Sequence, residues 1–318
     1  MTHLVEKMAY VNVPPWHGIG NRLSEKQPIE IWASQAGMDW QIMETPVVFH
    51  AAVGDFKQSG IQYPEKKVLY RSDTQAPLSV VSSRYNVVQP REILEFYRDL
   101  TEVAGFELET AGVLKGGRKC WALARTNQST TLKGKDEMRG YLLLATACDG
   151  TLATVAKFTS IRVVCNNTLE VATSGAGGVK VPHSTSFNAQ AVKSELGLAL
   201  SSWDDFMYQM KQLSQRKVTA LESEQFIRRL FEMGDSFDYA PANARAMKSV
   251  QELFEGRGRG AELASAKGTA FGLLNSVTEF IDHERRARST DFRIDSAWFG
   301  NGAAIKTRAY GLAVRLTT

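Results

Sequence analysis

Cysteine and metal-ligand motifs are scarce in this sequence. The 318 residues include three cysteines, Cys120, Cys148 and Cys165, which are widely spaced and form no CxxC pair. This spacing argues against a disulfide framework and a zinc knuckle, and free thiols fit a reducing compartment. No HExxH motif and no run of spaced aspartates occurs. We therefore expect no metal ion and no other cofactor.

Long apolar runs are also lacking. No stretch approaches the roughly 20 apolar residues that cross a bilayer, and the N-terminus lacks the basic and apolar regions of a signal peptide. We therefore expect a soluble, cytoplasmic protein without a membrane partner. In that compartment the sequon-like "NNT" at positions 166–168 is not a glycosylation site.

Catalytic signatures are missing as well. The five histidines are scattered, and neither GxSxG nor GxxxxGK[ST] occurs. Cys165 lies in a β-branched run, which is typical of a buried small apolar residue. Asp282 and its neighbours "DHE" point to different sides of a helix, which is typical of a solvated helix end. We expect no enzymatic activity.

Turn signals and periodicity indicate an α+β fold. Residues 1–39 are predicted to be an irregular segment with one short helix, residues 40–175 an antiparallel sheet with a helix packed on one face, and residues 176–318 a mostly helical region. Apolar runs joined by "KGG" and "DG" predict hairpins. A helical period between Pro90 and Gly105 predicts the packed helix.

Basic side chains next to aromatic ones mark the predicted sheet. The formal net charge is +4, which permits an anionic partner without requiring one. Nucleic-acid binding needs cations for phosphates and flat side chains for bases. The predicted strands and hairpins supply both in Arg84, Lys115, Arg118, Lys119, Trp121, Lys157 and Arg162. The alternatives are a solvated turn at "KGG" and charges that only protect strand edges.

Two basic runs in the C-terminal region have simpler interpretations. "EGRGRG" is predicted to be a flexible glycine loop, with or without a ligand. "HERRAR" lies at a predicted helix C-terminus, where the helix dipole favours cations.

Four blocks of sequence carry a family resemblance. They are "SSRYNVVQPREILEFYRDL", "AGVLKGGRKCWALAR", "FTSIRVVCNNTLEVA" and "LLNSVTEFIDHERRAR" with the following "SAWFGNGAAIKTRA". Together they resemble a domain-of-unknown-function family of phage- and plasmid-related proteins, from about Trp16 to Ala313. More distantly, the predicted core is similar to the single-strand annealing proteins of phages.

The resemblance to annealing proteins implies a role for the basic strands. Lys157 and Arg162 would hold a DNA backbone, and Asn166 and Asn167 would either form hydrogen bonds near it or cap the end of the strand. Homo-oligomers would align such sites into one track for single-stranded DNA. Phage or host recombination or replication proteins are further possible partners.

The sequence therefore predicts a mobile-element protein that binds single-stranded DNA and promotes strand annealing in recombination or replication. The alternative is a non-enzymatic factor, a regulator or anti-defence protein, that binds another protein. Aromatic residues near the N-terminus, such as Trp16 and Trp32, would then contact that partner.

Overall fold

The computed structural model describes residues 7–11, 20–53, 56–57, 60–171, 178–197, 202–232 and 241–317. The strands within these ranges are β1 Met8–Val11, β2 Asn21–Leu23, β3 Ile42–Phe49, β4 Ala52–Val53, β5 Phe56–Lys57, β6 Ile61–Arg71, β7 Pro77–Ser82, β8 Glu107–Leu114, β9 Lys119–Leu132, β10 Asp136–Ala147, β11 Thr154–Arg162, β12 Asn167–Glu170 and β13 Val179–Val181. The α-helices are α1 Ile29–Gln35, α2 Pro90–Ala104, α3 Ala189–Gly197, α4 Ser202–Gln215, α5 Ala220–Glu232, α6 Pro241–Glu252, α7 Ala270–Glu279, α8 Thr290–Phe299 and α9 Asn301–Val314. Trp16 lies outside the described residues.

An eight-stranded sheet forms the centre of the protein. Its order is β12-β11-β10-β9-β8-β1-β2, and β13 also pairs with β11. Every pairing is antiparallel except that of β1 with β2. The α+β prediction is confirmed. The N-terminal segment predicted to be irregular supplies β1 and β2, and the region predicted to be mostly helical supplies β13.

Helix α2 has the predicted boundaries and packs on β8, β9 and β10. Pro90 starts the helix, where its missing N–H costs nothing, and Gly105 ends it with a φ of 67°. Ile93, Leu94 and Tyr97 are buried on the face that meets the sheet. The Tyr97 hydroxyl also lies 2.9 Å from two main-chain carbonyls, one in β9 and one in β10, which share its single proton.

The opposite face of the sheet is covered too. Side chains alternate along a strand, so Trp121 and Leu123 of β9 share one face. The Trp121 ring packs edge-on against Trp298 of α8, with 4.8 Å between the ring centroids. Helices therefore lie on both faces, and the central strands have little surface left for a ligand.

The C-terminal region differs in two places from the predicted pattern. The helix predicted to end at "HERRAR" ends earlier, as α7, and a π-helical turn, Phe280–Glu284, follows it before the chain continues into α8 and α9. The "EGRGRG" stretch is not a free loop, because another π-helical turn, Leu253–Arg257, leads into backbone that is anchored to the sheet. The backbone that follows the first turn places the Gly260 carbonyl against Arg162 of β11, and the second turn places the Asp282 side chain against Thr168 of β12.

A separate three-stranded sheet, β3-β6-β7, lies beside the main sheet. Strand pairing places Met43, Val68 and Val80 on one face. Met43 is 39% exposed and Val80 is 60% exposed, so this face presents apolar side chains to solvent, next to the polar Lys66 and Ser82. Leu69, on the other face, is fully buried.

Candidate nucleic-acid interface

The lysines of the "KGG" hairpin are covered by helix α8. Lys115 and Lys119 both form ion pairs with Asp295. The Lys115 ammonium lies 5.3 Å from the centre of the Phe292 ring, and the Lys119 ammonium lies 5.5 Å from that of Phe299. Lys119 is 5% exposed. The two lysines predicted to be available for phosphate binding are therefore already engaged, since α8 supplies the Asp295 carboxylate and two aromatic rings that contact them.

Trp121 is fully buried and packs against Trp298. It is not available to stack on a base, which corrects the sequence prediction. Arg118, three residues earlier, is exposed, and so is Arg84. Of the cations predicted on the sheet, these two keep exposed side chains.

Arg84 and Arg118 lie at the same end of the main sheet. The Arg118 carbonyl accepts a hydrogen bond from the Cys148 N–H at 2.9 Å. Tyr85, next to Arg84, donates its hydroxyl proton to the Ala147 carbonyl at 2.6 Å. The segments that carry these two cations thus both contact the end of β10.

Arg162 is buried, and its guanidinium group forms hydrogen bonds to other groups of the protein. It is 2% exposed and binds both oxygens of Asp136, with distances of 2.7 to 3.1 Å. It also donates to the carbonyls of Arg259, at 3.3 Å, and Gly260, at 2.9 Å. Asp136 accepts a further hydrogen bond from the Ser265 hydroxyl at 2.5 Å. Arg162 is therefore a structural residue that anchors the glycine-rich stretch, and the DNA-contact prediction for it is wrong.

Lys157 is mostly buried and bound to protein groups. Its ammonium nitrogen lies 2.8 Å from Glu170 Oε2 and 3.3 Å from the Trp298 carbonyl. The side chain is 14% exposed. It joins β11 to β12 and to the end of α8, so a DNA phosphate would have to displace these partners.

The two asparagines have structural surroundings. Asn166 is a turn residue with a φ of 54°, a conformation that asparagine tolerates better than most residues. Asn167 is 3% exposed and donates from Nδ2 to the Asn275 carbonyl at 3.3 Å. Its Oδ1 lies 3.0 Å from His283 Nε2, which must donate because an amide oxygen only accepts. Burial lowers the pKa of His283. The sequence left open whether these asparagines bind near DNA or have a structural role at the end of the strand. In the structure, Asn166 forms a turn and Asn167 forms hydrogen bonds in the core.

A buried ion pair that the sequence did not reveal lies beside Asn167. Lys306 donates to Asp282 Oδ1 and to the Thr168 hydroxyl, both at 2.7 Å. Asp282 Oδ2 accepts from the Thr168 main-chain N–H at 2.8 Å. Asp282 is fully buried and Lys306 is 4% exposed, and burial lowers the pKa of Lys306. The prediction of a solvated end at Asp282 is wrong, because α9 and β12 close over it.

An open groove in the helical region is lined by a second set of basic side chains. It has a volume of about 750 Å³ and lies between α5, α6, α9 and the turn after α7. We call it the basic groove. Its charged lining residues are Arg245, Lys248, Glu252, Glu284, Arg285, Arg286 and Arg308.

The acids of the basic groove already have partners. Glu252 lies 3.9 Å from Lys248 and 3.4 Å from Arg257, and Glu284 lies 2.6 Å from Arg257. The four lining arginines have no ion pair among the residues that the structure describes. Their positive charge is therefore not neutralised within this part of the chain.

The floor of the basic groove is aromatic. Phe231 and Phe280 line it, with ring centroids 6.2 Å apart and planes nearly perpendicular. Arg285 is half-buried beside them and donates to the Ser296 hydroxyl at 3.4 Å. Burial lowers the pKa of Arg285, but an arginine stays protonated under ordinary conditions. Arg245, Arg286 and Arg308 are exposed at the rim.

Sequence reasoning missed the groove because its cations come from separate helices. Arg286 belongs to the "HERRAR" run, whereas Arg245 and Arg308 stand apart in the sequence. Within the described ranges, no group of three or more metal-ligating side chains is assembled, and no helix is long and apolar enough to cross a membrane.

Comparison with known proteins gives one match. Residues 77–298 match a family described as a domain of unknown function, DUF932. No curated protein and no solved structure matches the chain. The matched segment contains β7 to α8, and so includes most of the main sheet and part of the basic groove.

Proposed function

Because the chain belongs to the DUF932 family, whose description assigns no activity, we propose its function from the geometry of its surface: it binds single-stranded DNA in the basic groove. The carrying observation is the convergence of four arginines without ion pairs, among the described residues, on one open groove with an aromatic floor. Arginine pairs well with phosphate, and the partly exposed Phe231 ring offers a surface on which a base of any sequence can stack. No covalent chemistry is needed for this function.

The proposal extends to strand annealing in a phage or plasmid. A protein that holds the backbone electrostatically leaves base edges free to pair with a second strand. Arg84 and Arg118 would add a second cationic contact at the end of the main sheet. The protein would act in the cytoplasm as a homo-oligomer, alongside recombination or replication proteins.

The direct experiment is fluorescence anisotropy with a labelled oligothymidine across a salt series, with particle size measured by light scattering in the same samples. We expect binding that weakens steeply as salt rises, and assemblies that grow on DNA. A strand-annealing assay with complementary oligonucleotides follows. Failure to bind at low salt would contradict the proposal.

A second candidate function is binding of a protein partner, as a regulator or anti-defence factor. The exposed apolar face at Met43, Val68 and Val80 favours it, because open apolar faces of this kind mark protein contacts. A Val80→Glu change would weaken such a contact. Salt-insensitive capture of a protein, lost in this variant and accompanied by no DNA binding, would support this function over the first.

A further inference from the structure

A second cavity lies on a different part of the protein. It has a volume of about 490 Å³ and is enclosed by α1, the segment before it, α2, β8 and β9. This is within the range of about 300–1,000 Å³ that is typical of small-molecule sites. It shares no lining residue with the basic groove. We call it the α1–α2 cavity.

The inner wall of the α1–α2 cavity is aromatic and aliphatic. Trp32 of α1 and Phe106, just before β8, line it and are 2% and 7% exposed. Leu108 and Ile29 complete this wall. Such a surface suits a flat or apolar ligand body, and aromatic faces attract an organic cation.

Glu109 enters the cavity because β8 is irregular at this residue. Leu108 pairs with Ala124 while Thr110 pairs with Leu123, so Glu109 is an extra residue in the strand. Bulges of this kind redirect a side chain. The Glu109 carboxylate accepts the Tyr141 hydroxyl proton, with distances of 2.9 and 3.1 Å to its two oxygens. Burial raises the pKa of Glu109, which reflects a carboxylate held away from water.

The other charges of the cavity are largely neutralised by one another. Arg125 pairs with Glu107, and Arg98 lies 3.5 Å from Glu30. Among the described residues, Glu109 has no ion pair, and its hydrogen bond to Tyr141 leaves further acceptor positions unused. An acceptor thus stands beside an apolar wall without an ion-pair partner of its own, with the charges of Arg125 and Arg139 acting on it from a distance.

We propose that the α1–α2 cavity binds a small organic cation, an ammonium group carried on an aromatic or apolar body. The ammonium group would form a charge-assisted hydrogen bond to Glu109, and the body would lie against Ile29 and Leu108, the half-buried apolar side chains of the lining. Lys26 at the rim would disfavour ligands with a second positive charge. This site is independent of DNA binding in the basic groove.

Isothermal titration with three probes of one ring system tests the charge requirement. Tryptamine carries an ammonium group, indole-3-ethanol is neutral, and indole-3-propionate is an anion. We expect tryptamine to bind at least about tenfold more tightly than either of the others, since a charge-assisted hydrogen bond is about twice as strong as a neutral one. Equal binding of the three probes, or no binding of any, would overturn the proposal.

Two variants locate the site. Glu109→Gln keeps the shape and should weaken tryptamine binding by about tenfold or more, with little effect on indole-3-ethanol. Leu108→Trp should fill the cavity and abolish binding of both. The Glu44→Gln variant changes a carboxylate outside the cavity and serves as the control. Tryptamine affinity unchanged in Glu109→Gln would overturn the assignment, and oligothymidine binding, measured in the same variants, reports separately on the basic groove.

Discussion

Arg162 and Asp136 form an ion pair that is sealed inside the protein. Their side chains are 2% and 1% exposed, and the closest nitrogen and oxygen atoms are 2.7 Å apart. The pair joins the ends of β10 and β11, and Arg162 also holds the backbone at Gly260. Arg162, which the sequence predicted to contact DNA, therefore connects the main sheet to the C-terminal region.

Removal of one member of this pair should destabilise the fold strongly. Asp136→Asn leaves Arg162 charged and buried without its carboxylate, and such losses cost about 3–5 kcal/mol. Urea unfolding followed by circular dichroism measures the change. Glu137→Gln is the control, because its pair with Arg139 is partly exposed and should contribute less than about 1 kcal/mol. Equal effects of the two changes would contradict a sealed pair.

Asp295 should contribute through the two lysines that it binds. In Asp295→Asn, Lys119 stays buried without a charged partner, and we expect a loss of about 1–3 kcal/mol in the free energy of unfolding. Asp291→Asn alters an acid on the same helix that has no ion pair among the described residues. Its effect should stay within about 1 kcal/mol, the range of a helix-terminus charge. Thermal unfolding of both variants measures these losses. A larger loss in Asp295→Asn than in Asp291→Asn would show that the ion pairs of Asp295 with the two lysines stabilise the packing of α8.

His283 should make stability depend on pH. Burial lowers its pKa in the folded protein, so the unfolded chain binds a proton first as the pH falls below about 6.5. The contribution of the neutral His283 to the free energy of unfolding is thus fully present above that pH. It is lost as the pH falls through the lower pKa of the folded state.

The His283→Gln variant isolates this contribution, since glutamine can still donate to Asn167. The difference in unfolding free energy between wild type and variant should shrink between pH 7 and pH 5, by at most about 1.4 kcal/mol for each unit of pKa shift. Burial raises the pKa values of Glu109 and Glu279, so these two groups make the protein more stable as the pH falls. Both are present in wild type and variant, so their contribution cancels when the two unfolding free energies are subtracted. A difference that stays constant over this range would contradict a depressed pKa.

Two glycines in the C-terminal helices should respond in opposite directions to alanine. A Cβ at Gly272 in α7 would lie 2.0 Å from the Ala266 carbonyl oxygen, whereas a Cβ at Gly311 in α9 would have no atom within 4 Å. Gly272→Ala should cost at least about 2 kcal/mol, because backbone must move. Gly311→Ala should stabilise by about 0.5–1 kcal/mol through helix propensity. Chemical denaturation compares them, and a tolerated Gly272→Ala would show that α7 does not approach Ala266 so closely.

The parts of the fold that local chemistry determines could be predicted from the sequence. Pro90 and Gly105 set the bounds of α2, and the hairpins at "KGG" and "DG" follow from residues that adopt a positive φ. Alternation and turn residues sufficed for the antiparallel sheet. The short strands β1, β2 and β13 were missed because three or four residues carry too little periodicity.

The position of a charge relative to solvent could not be predicted in the same way. Lys115 lies 180 positions before Asp295, and Thr168 lies 114 positions before Asp282. The local sequence around a basic residue does not show whether a carboxylate from a distant part of the chain forms an ion pair with it in the folded protein. The basic groove was missed for the same reason, since tertiary packing alone brings Arg245 to Arg308.

The most direct test of the central claim is the salt dependence of oligothymidine binding in a groove variant. Arg245→Ala, Arg286→Ala and Arg308→Ala are combined, and anisotropy is measured from low to moderate salt. Each lost phosphate contact should reduce the slope of log affinity against log salt by about 0.7, so the triple variant should lose about 2 units of slope.

The matched control combines Arg22→Ala, Lys133→Ala and Lys180→Ala, which remove the same charge from exposed positions outside the groove. If the basic groove holds DNA, the groove variant loses slope and affinity while the control keeps the wild-type slope. Equal slopes in the wild type and the groove variant would contradict the account.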